Sequence, residues 1–160
     1  HMFIVSGANL LGDPNIPICS CGQAGHLEAL VSAPAIVERY ASYTLNAPRS
    51  KFTLSAANVL NAKHIFDLAR KGDRTAQLIV KRTAHYLGLA VASLINIFDP
   101  EMIIIGGGVA NAGDVLFKPL RQVVKQSIMK HPYRKPLIVP AKLGEDAGLL
   151  GAAALALTRS

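Results

Sequence analysis

The chain has 160 residues, 51% of them apolar and 17% charged, with a formal net charge of +7. That length fits one domain of ordinary size with a buried core, and the balance excludes a disordered chain. No apolar run reaches the ~18–20 residues that span a bilayer; the richest, 87–98, is interrupted by Gly88, Ser93 and Asn96.

The first residues show no basic region followed by an apolar one, so no signal peptide is expected. A cytoplasmic protein without a membrane partner is the expectation. The positive charge allows an anionic partner. The Lys and Arg residues are scattered, however, and aromatics make up only 6%. That pattern fits a basic solvated surface, helped by an anionic substrate such as a nucleotide, better than a nucleic-acid interface.

Residues 2–5 (MFIV) form a short strand candidate, followed by a Gly- and Pro-containing loop. Residues 26–32 (HLEALVS) read as one short helix. Residues 32–45 read as a second, with Ser32 near its start and Pro34 in the first turn, where a missing N–H costs nothing. Ser55 can cap a helix over 56–71, and Gly72 can close it. Asp73 then caps the longest helix, 74–97, whose Ile79, Ala84, Leu87, Val91 and Leu94 recur at helical spacing. Pro100 marks its end.

Residues 102–105 (MIII) are a continuous apolar run, as expected of a strand buried on both faces. Residues 114–129 predict a helix that Pro119 kinks or interrupts. Residues 136–144 contain a further strand, and 145–158 a helix of small and apolar residues. Strands alternating with helices argue an α/β domain. The strands are few for the length, which reads as part of a larger fold.

Two stretches carry chemistry. The first is CSCGQAGH, 19–26, which holds both cysteines of the chain. A disulfide between Cys19 and Cys21 would close a tiny strained ring. Zn²⁺ prefers thiolate and imidazole donors, and glycines let a short loop wrap around it. Cys19, Cys21 and His26 supply three ligands, with His1 as the obvious fourth. Two ordinary cysteines beside a surface histidine fit the same spacing. The second stretch is Gly106, Gly107 and Gly108, where a strand ends. Backbone without side chains can approach a phosphate or an adenosine closely, and ligands of α/β sheets bind beyond strand C-termini. A tight turn is the other reading. His64, His85 and His131 lack partners at ligand spacing and read as solvated or core histidines.

CSCGQAGHLEAL resembles the ROK-family signature C-x-C-G-x-x-G-C-x-E. Cys19, Cys21, Gly22, Gly25 and Glu28 match, and His26 stands at the third cysteine. HMFIV is similar to the family's upstream G-H-hydrophobic segment, although the intervening loop is longer. NIFDPEMIIIGGGVANAG and LGEDAGLLGAAALAL resemble two further family segments, in the right order.

The resemblance implies the actin-like ATPase (ribonuclease H-like) fold. Residues 1–140 would be its larger C-terminal lobe, with a structural zinc loop at 19–28 and a nucleotide-side turn at 106–109. Residues 141–160 would pack back towards an N-terminal lobe, and 145–148 would border the cleft. Glu28 and His1 would bind sugar hydroxyls, and His1, Cys19, Cys21 and His26 would hold Zn²⁺. Gly106, Gly107 and Gly108 would approach ATP, which enters with Mg²⁺. A carboxylate first in a helix is also favoured by the helix dipole, so Glu28 has a structural reading too. The implied activity is ATP-dependent phosphorylation of a hexose or N-acetylhexosamine, glucokinase-like, by a homodimer. The family's catalytic aspartate lies in an Asn-Asp pair, and its phosphate segment reads D-x-G-x-T; neither occurs here. The chain thus reads as the C-terminal half of such a kinase and is expected to be inactive alone. The alternative is the sugar-sensing half of a ROK-type repressor, which would add a nucleic-acid partner. The intact glycine turn favours the kinase.

Overall fold

The longest helix organises the molecule, and every other helix but the last packs on it or on its neighbours. The computed structural model describes residues 2–4, 16–45, 60–130 and 135–158. In chain order these form α1 (Leu27–Val31), α2 (Ala33–Leu45), α3 (Ala62–Arg70), α4 (Arg74–Phe98), β1 (Met102–Ile105), α5 (Asp114–Ser127), β2 (Leu137–Pro140) and α6 (Ala147–Thr158). Two 3-10 turns, Gly108–Ala112 and Gly144–Asp146, follow the strands.

Local chemistry sets the helix ends. The Asp73 carboxylate accepts from the Ala76 N–H at 2.6 Å and starts α4. One residue earlier α3 closes in a Schellman motif: the Gly72 N–H donates to the Ala69 carbonyl and the Asp73 N–H to that of Leu68. The start of α3 differs from expectation. Asn61 is extended and its side chain accepts from the His64 N–H at 2.8 Å, so the helix begins at Ala62. Ser55 lies outside the described residues. The Ser32 hydroxyl accepts from the Ala35 N–H and separates α1 from α2. Buried Arg39 donates to the Leu30 carbonyl at 3.1 Å and ties α2 to α1.

α4 buries Ile79, Val80, Ala84, Val91 and Ile95 in one core with residues of α2, α3, α5 and β2. At its crossing with α5 it carries Gly88, where a Cβ would lie 2.8 Å from the Val123 Cβ. The residue that interrupts the apolar run thus lets two helices approach closely. By length and composition alone α4 could cross a bilayer, but 61% of its most apolar window is buried inside the protein. That is how the central helix of a packed domain behaves. α5 runs unbroken through Pro119. Only one backbone bond is forfeited there, against the burial of Leu116, Phe117, Leu120 and Val124.

β1 and β2 pair in parallel, Met102 opposite Leu137 through Ile105 opposite Pro140, with α5 as the crossover. Burial on both faces, expected for β1, is not what the structure shows. Ile103, Ile105 and Ile138 face the helices, whereas Ile104 on the other face is 63% exposed. Among the described residues, helices cover only one side of this two-stranded sheet. α6 has no buried residue, and its Leu157 is 79% exposed. Of the strand expected at 2–5, the described residues 2–4 show one antiparallel bridge, Phe3 with His26.

Candidate functional site

The cysteine loop is a small hairpin. The Gly22 N–H donates to the Cys19 carbonyl at 2.9 Å, and the Cys19 N–H to the Gln23 carbonyl at 2.8 Å. Gly22 holds φ at 87°, a conformation L side chains avoid, and this lets the chain reverse within three residues. The loop then meets residues 2–4: the Ile4 N–H donates to the Gly25 carbonyl, and the Leu27 N–H to that of Met2. Leu30 packs on Tyr86 of α4, with Ile4 and Ile16 beside them, and anchors the loop to the main helix.

This folding gathers three donors. The ligand atoms of Cys19, Cys21 and His26 all lie within 4.8 Å of one another. Cys21 Sγ is 3.1 Å from His26 Nδ1, and the Phe3 ring meets the His26 ring edge-on. Both cysteines are free thiols; Cys19 is buried and Cys21 exposed. Two thiols and an imidazole are a donor set that Zn²⁺ favours, and a tetrahedral site needs one donor more. His1, expected as that donor, lies outside the described residues.

Glu28 sits in the first turn of α1. The Cys19 thiol donates to its Oε2 at 3.5 Å, so the carboxylate touches the cysteine loop. Glu28 also lines a cleft of about 420 Å³, together with Met2, Ser32 and Leu87. Ile105, Gly106, Gly107, Gly108 and Val109 line the same cleft. Two stretches far apart in sequence therefore face one cleft.

The glycine turn is open. A Cβ at Gly107 or Gly108 would meet no atom within 4 Å. Gly107 needs to be glycine for its φ of 82°. Gly108 has neither a positive φ nor a clash to explain it, so its bare backbone faces space outside the fold. The 3-10 turn Gly108–Ala112 follows, and the turn Gly144–Asp146 packs against it. The neighbourhood of 145–148 thus abuts the glycine turn, but Gly148 does not line the cleft.

A second pocket, of about 250 Å³, shares Gly108 with the cleft and is lined also by Lys63, Phe66, Arg70 and Asn111. Sequence reasoning did not single out these four. Lys63, Phe66 and Arg70 share one face of α3, but nothing in their spacing says that this face meets the glycine turn. Arg70 donates to the Ala112 carbonyl and pairs with Asp67. Of the remaining histidines, His64 is exposed and His85 packs edge-on against Tyr86, while His131 lies outside the described residues.

This fold is that of a family. The sequence model of the ROK family matches residues 1–159, and the chain belongs to that family. It is 40% identical to a glucokinase of Thermotoga maritima, over 97% of this chain and 52% of that protein. A ROK-family glucokinase from Streptomyces griseus, solved in complex with glucose and AMPPNP, superposes with a TM-score of 0.75. That match has 29% identity and covers 97% of this chain and 49% of that one. A xylose repressor of Caldicellulosiruptor bescii is 29% identical over 88% of this chain and 36% of the repressor. The chain spans about half the length of the glucokinases it matches.

Proposed function

We propose that this chain is the C-terminal part of an ATP-dependent hexose kinase of the glucokinase type. The observation that carries the reading is that Glu28 and the glycine turn face one cleft. A carboxylate can accept from two neighbouring sugar hydroxyls and so fix the sugar's orientation. Bare backbone at Gly107 and Gly108 leaves room for nucleotide phosphates to approach. Phosphoryl transfer depends mainly on such positioning and on charge stabilisation, with Mg²⁺ accompanying ATP.

The proton of the attacking hydroxyl needs a base. Among the cleft residues, Glu28 is assigned to orientation, and the base belongs to a part of the protein outside this chain. The isolated chain should therefore release no ADP in response to sugar. The exposed face of β1 and the apolar α6 are surfaces for that remaining part to cover. The larger lobe of an actin-like ATPase fold, residues 1–140, and a C-terminal segment, 141–160, describe this division.

Cys19, Cys21 and His26 would hold one Zn²⁺, with His1 as fourth donor. Four protein ligands make such a metal structural: it staples the loop that presents Glu28. His1 would add a sugar contact. A homodimer in the cytoplasm completes the reading.

The similarity to a xylose repressor supports a second reading, a sugar sensor that uses no ATP. Calorimetry on the full-length protein separates the two. The kinase should bind one hexose or N-acetylhexosamine and also Mg-AMPPNP. Sugar binding without nucleotide binding would favour the sensor.

A further inference from the structure

We propose that Arg70 is a positioning residue for the nucleotide: its guanidinium, braced by Asp67, holds the Ala112 carbonyl and so fixes the backbone that follows Gly106, Gly107 and Gly108. The inference rests on the kinase reading and adds to it a residue from a different helix.

The turn Gly108–Ala112 leads directly out of the glycine run. It is flanked by Gly107, at φ 82°, and Gly113, at φ 63°, the residue type with the widest backbone freedom. At its start the Ala110 N–H donates to the Gly107 carbonyl, at 3.0 Å. Carbonyls at the end of a helical turn lack intrahelical donors and need one from elsewhere. At Ala112, which is buried, Arg70 of α3 supplies it.

The pairing with Asp67 explains how the guanidinium is aimed. Both side chains are more than two-fifths exposed, so their ion pair adds little to stability. It does fix the orientation of a planar fork, which can serve two acceptors at once in set directions. A lysine keeps the charge but offers no such fork. The second pocket shares Gly108 with the main cleft, and Arg70 lines it. Movement of the turn would therefore displace the backbone that meets the nucleotide and leave Glu28 in place.

The test uses the full-length protein and begins with Mg-AMPPNP binding by the wild type. Absence of binding would remove the kinase reading, and this assignment with it. With binding established, Arg70→Ala should raise KM for ATP about tenfold or more and lower kcat, as misplaced reacting groups do. KM for the sugar should stay within about twofold, because Glu28 stands on α1 and not on the turn. Arg70→Lys should behave like Arg70→Ala, and Asp67→Asn should shift KM for ATP the same way but less. Millimolar guanidinium should partly restore Arg70→Ala. Should that variant fail to fold, Arg70→Lys and Asp67→Asn carry the test. Parallel rises in both KM values would overturn the proposal in favour of a general structural role. Full activity of Arg70→Lys would overturn it in favour of a direct charge contact with the nucleotide.

Discussion

Cys19 Sγ lies 3.5 Å from Glu28 Oε2, and the thiol donates to the carboxylate. The loop that gathers metal donors and the acid that faces the cleft are thus in direct contact. A thiolate bound to metal has no proton to donate. Metal capture at Cys19 would end this bond.

Metal and sugar should therefore be coupled. Elemental analysis of the full-length protein should give about one zinc per chain. Chelation should weaken sugar binding about tenfold, a common size for coupling between sites, and leave AMPPNP binding unchanged. Cys21→Ser should lose the zinc and copy the chelated protein. Unaltered sugar affinity in zinc-free protein would show that the loop and the cleft act separately.

Glu28 is exposed and sits on a short helix, so replacing it should leave the fold intact. Its hydrogen bonds to sugar hydroxyls would be charged ones, worth about 1.5–3 kcal/mol each. Glu28→Gln should raise KM for sugar about tenfold or more, with an unchanged melting temperature and nearly unchanged KM for ATP. An equal rise in both KM values would place Glu28 elsewhere in the mechanism.

The last two glycines of the turn should respond differently. Gly108→Ala adds a methyl group to open space, so stability should hold within about 0.5 kcal/mol, as for surface changes. KM for ATP should nevertheless rise, because the methyl group occupies room the nucleotide needs. Gly107→Ala forces an L residue to a φ of 82° and should cost about 1–2 kcal/mol. Denaturant melts set beside ATP titrations would separate these effects.

Gly88 is a packing residue. Gly88→Ala favours the helix locally by about 1 kcal/mol. The new methyl group would lie 2.8 Å from the Val123 Cβ and 3.3 Å from the Leu120 carbonyl oxygen. Overpacking of this kind costs about 1–3 kcal/mol, so the variant should be net destabilised and Gly88→Leu more so. A rise in melting temperature for Gly88→Ala would show that α4 and α5 separate easily.

Much of this was readable from the residues. The junction of α3 and α4 follows from Gly72 and Asp73, because capping is a short-range property. The gathering of Cys19, Cys21 and His26 also follows, because one glycine-rich loop holds all three. Long-range relationships were not readable. Four consecutive apolar residues in β1 read as burial on both faces whether or not the same chain supplies both covering layers. Lys63, Arg70 and Asn111 gave no sign of sharing a pocket, because only the packing of α3 against the glycine turn brings them together. Asn61 as the cap of α3 was equally hidden, since it lies inside a stretch whose pattern reads as continuous helix.

The most direct measurement is steady-state ADP release by the full-length protein with Mg-ATP, across glucose, other hexoses and N-acetylhexosamines. The kinase reading predicts turnover with at least one sugar, and a raised KM for that sugar in Glu28→Gln. Sugar binding without ADP release on any member of the panel would contradict it and assign the cleft to a sensor.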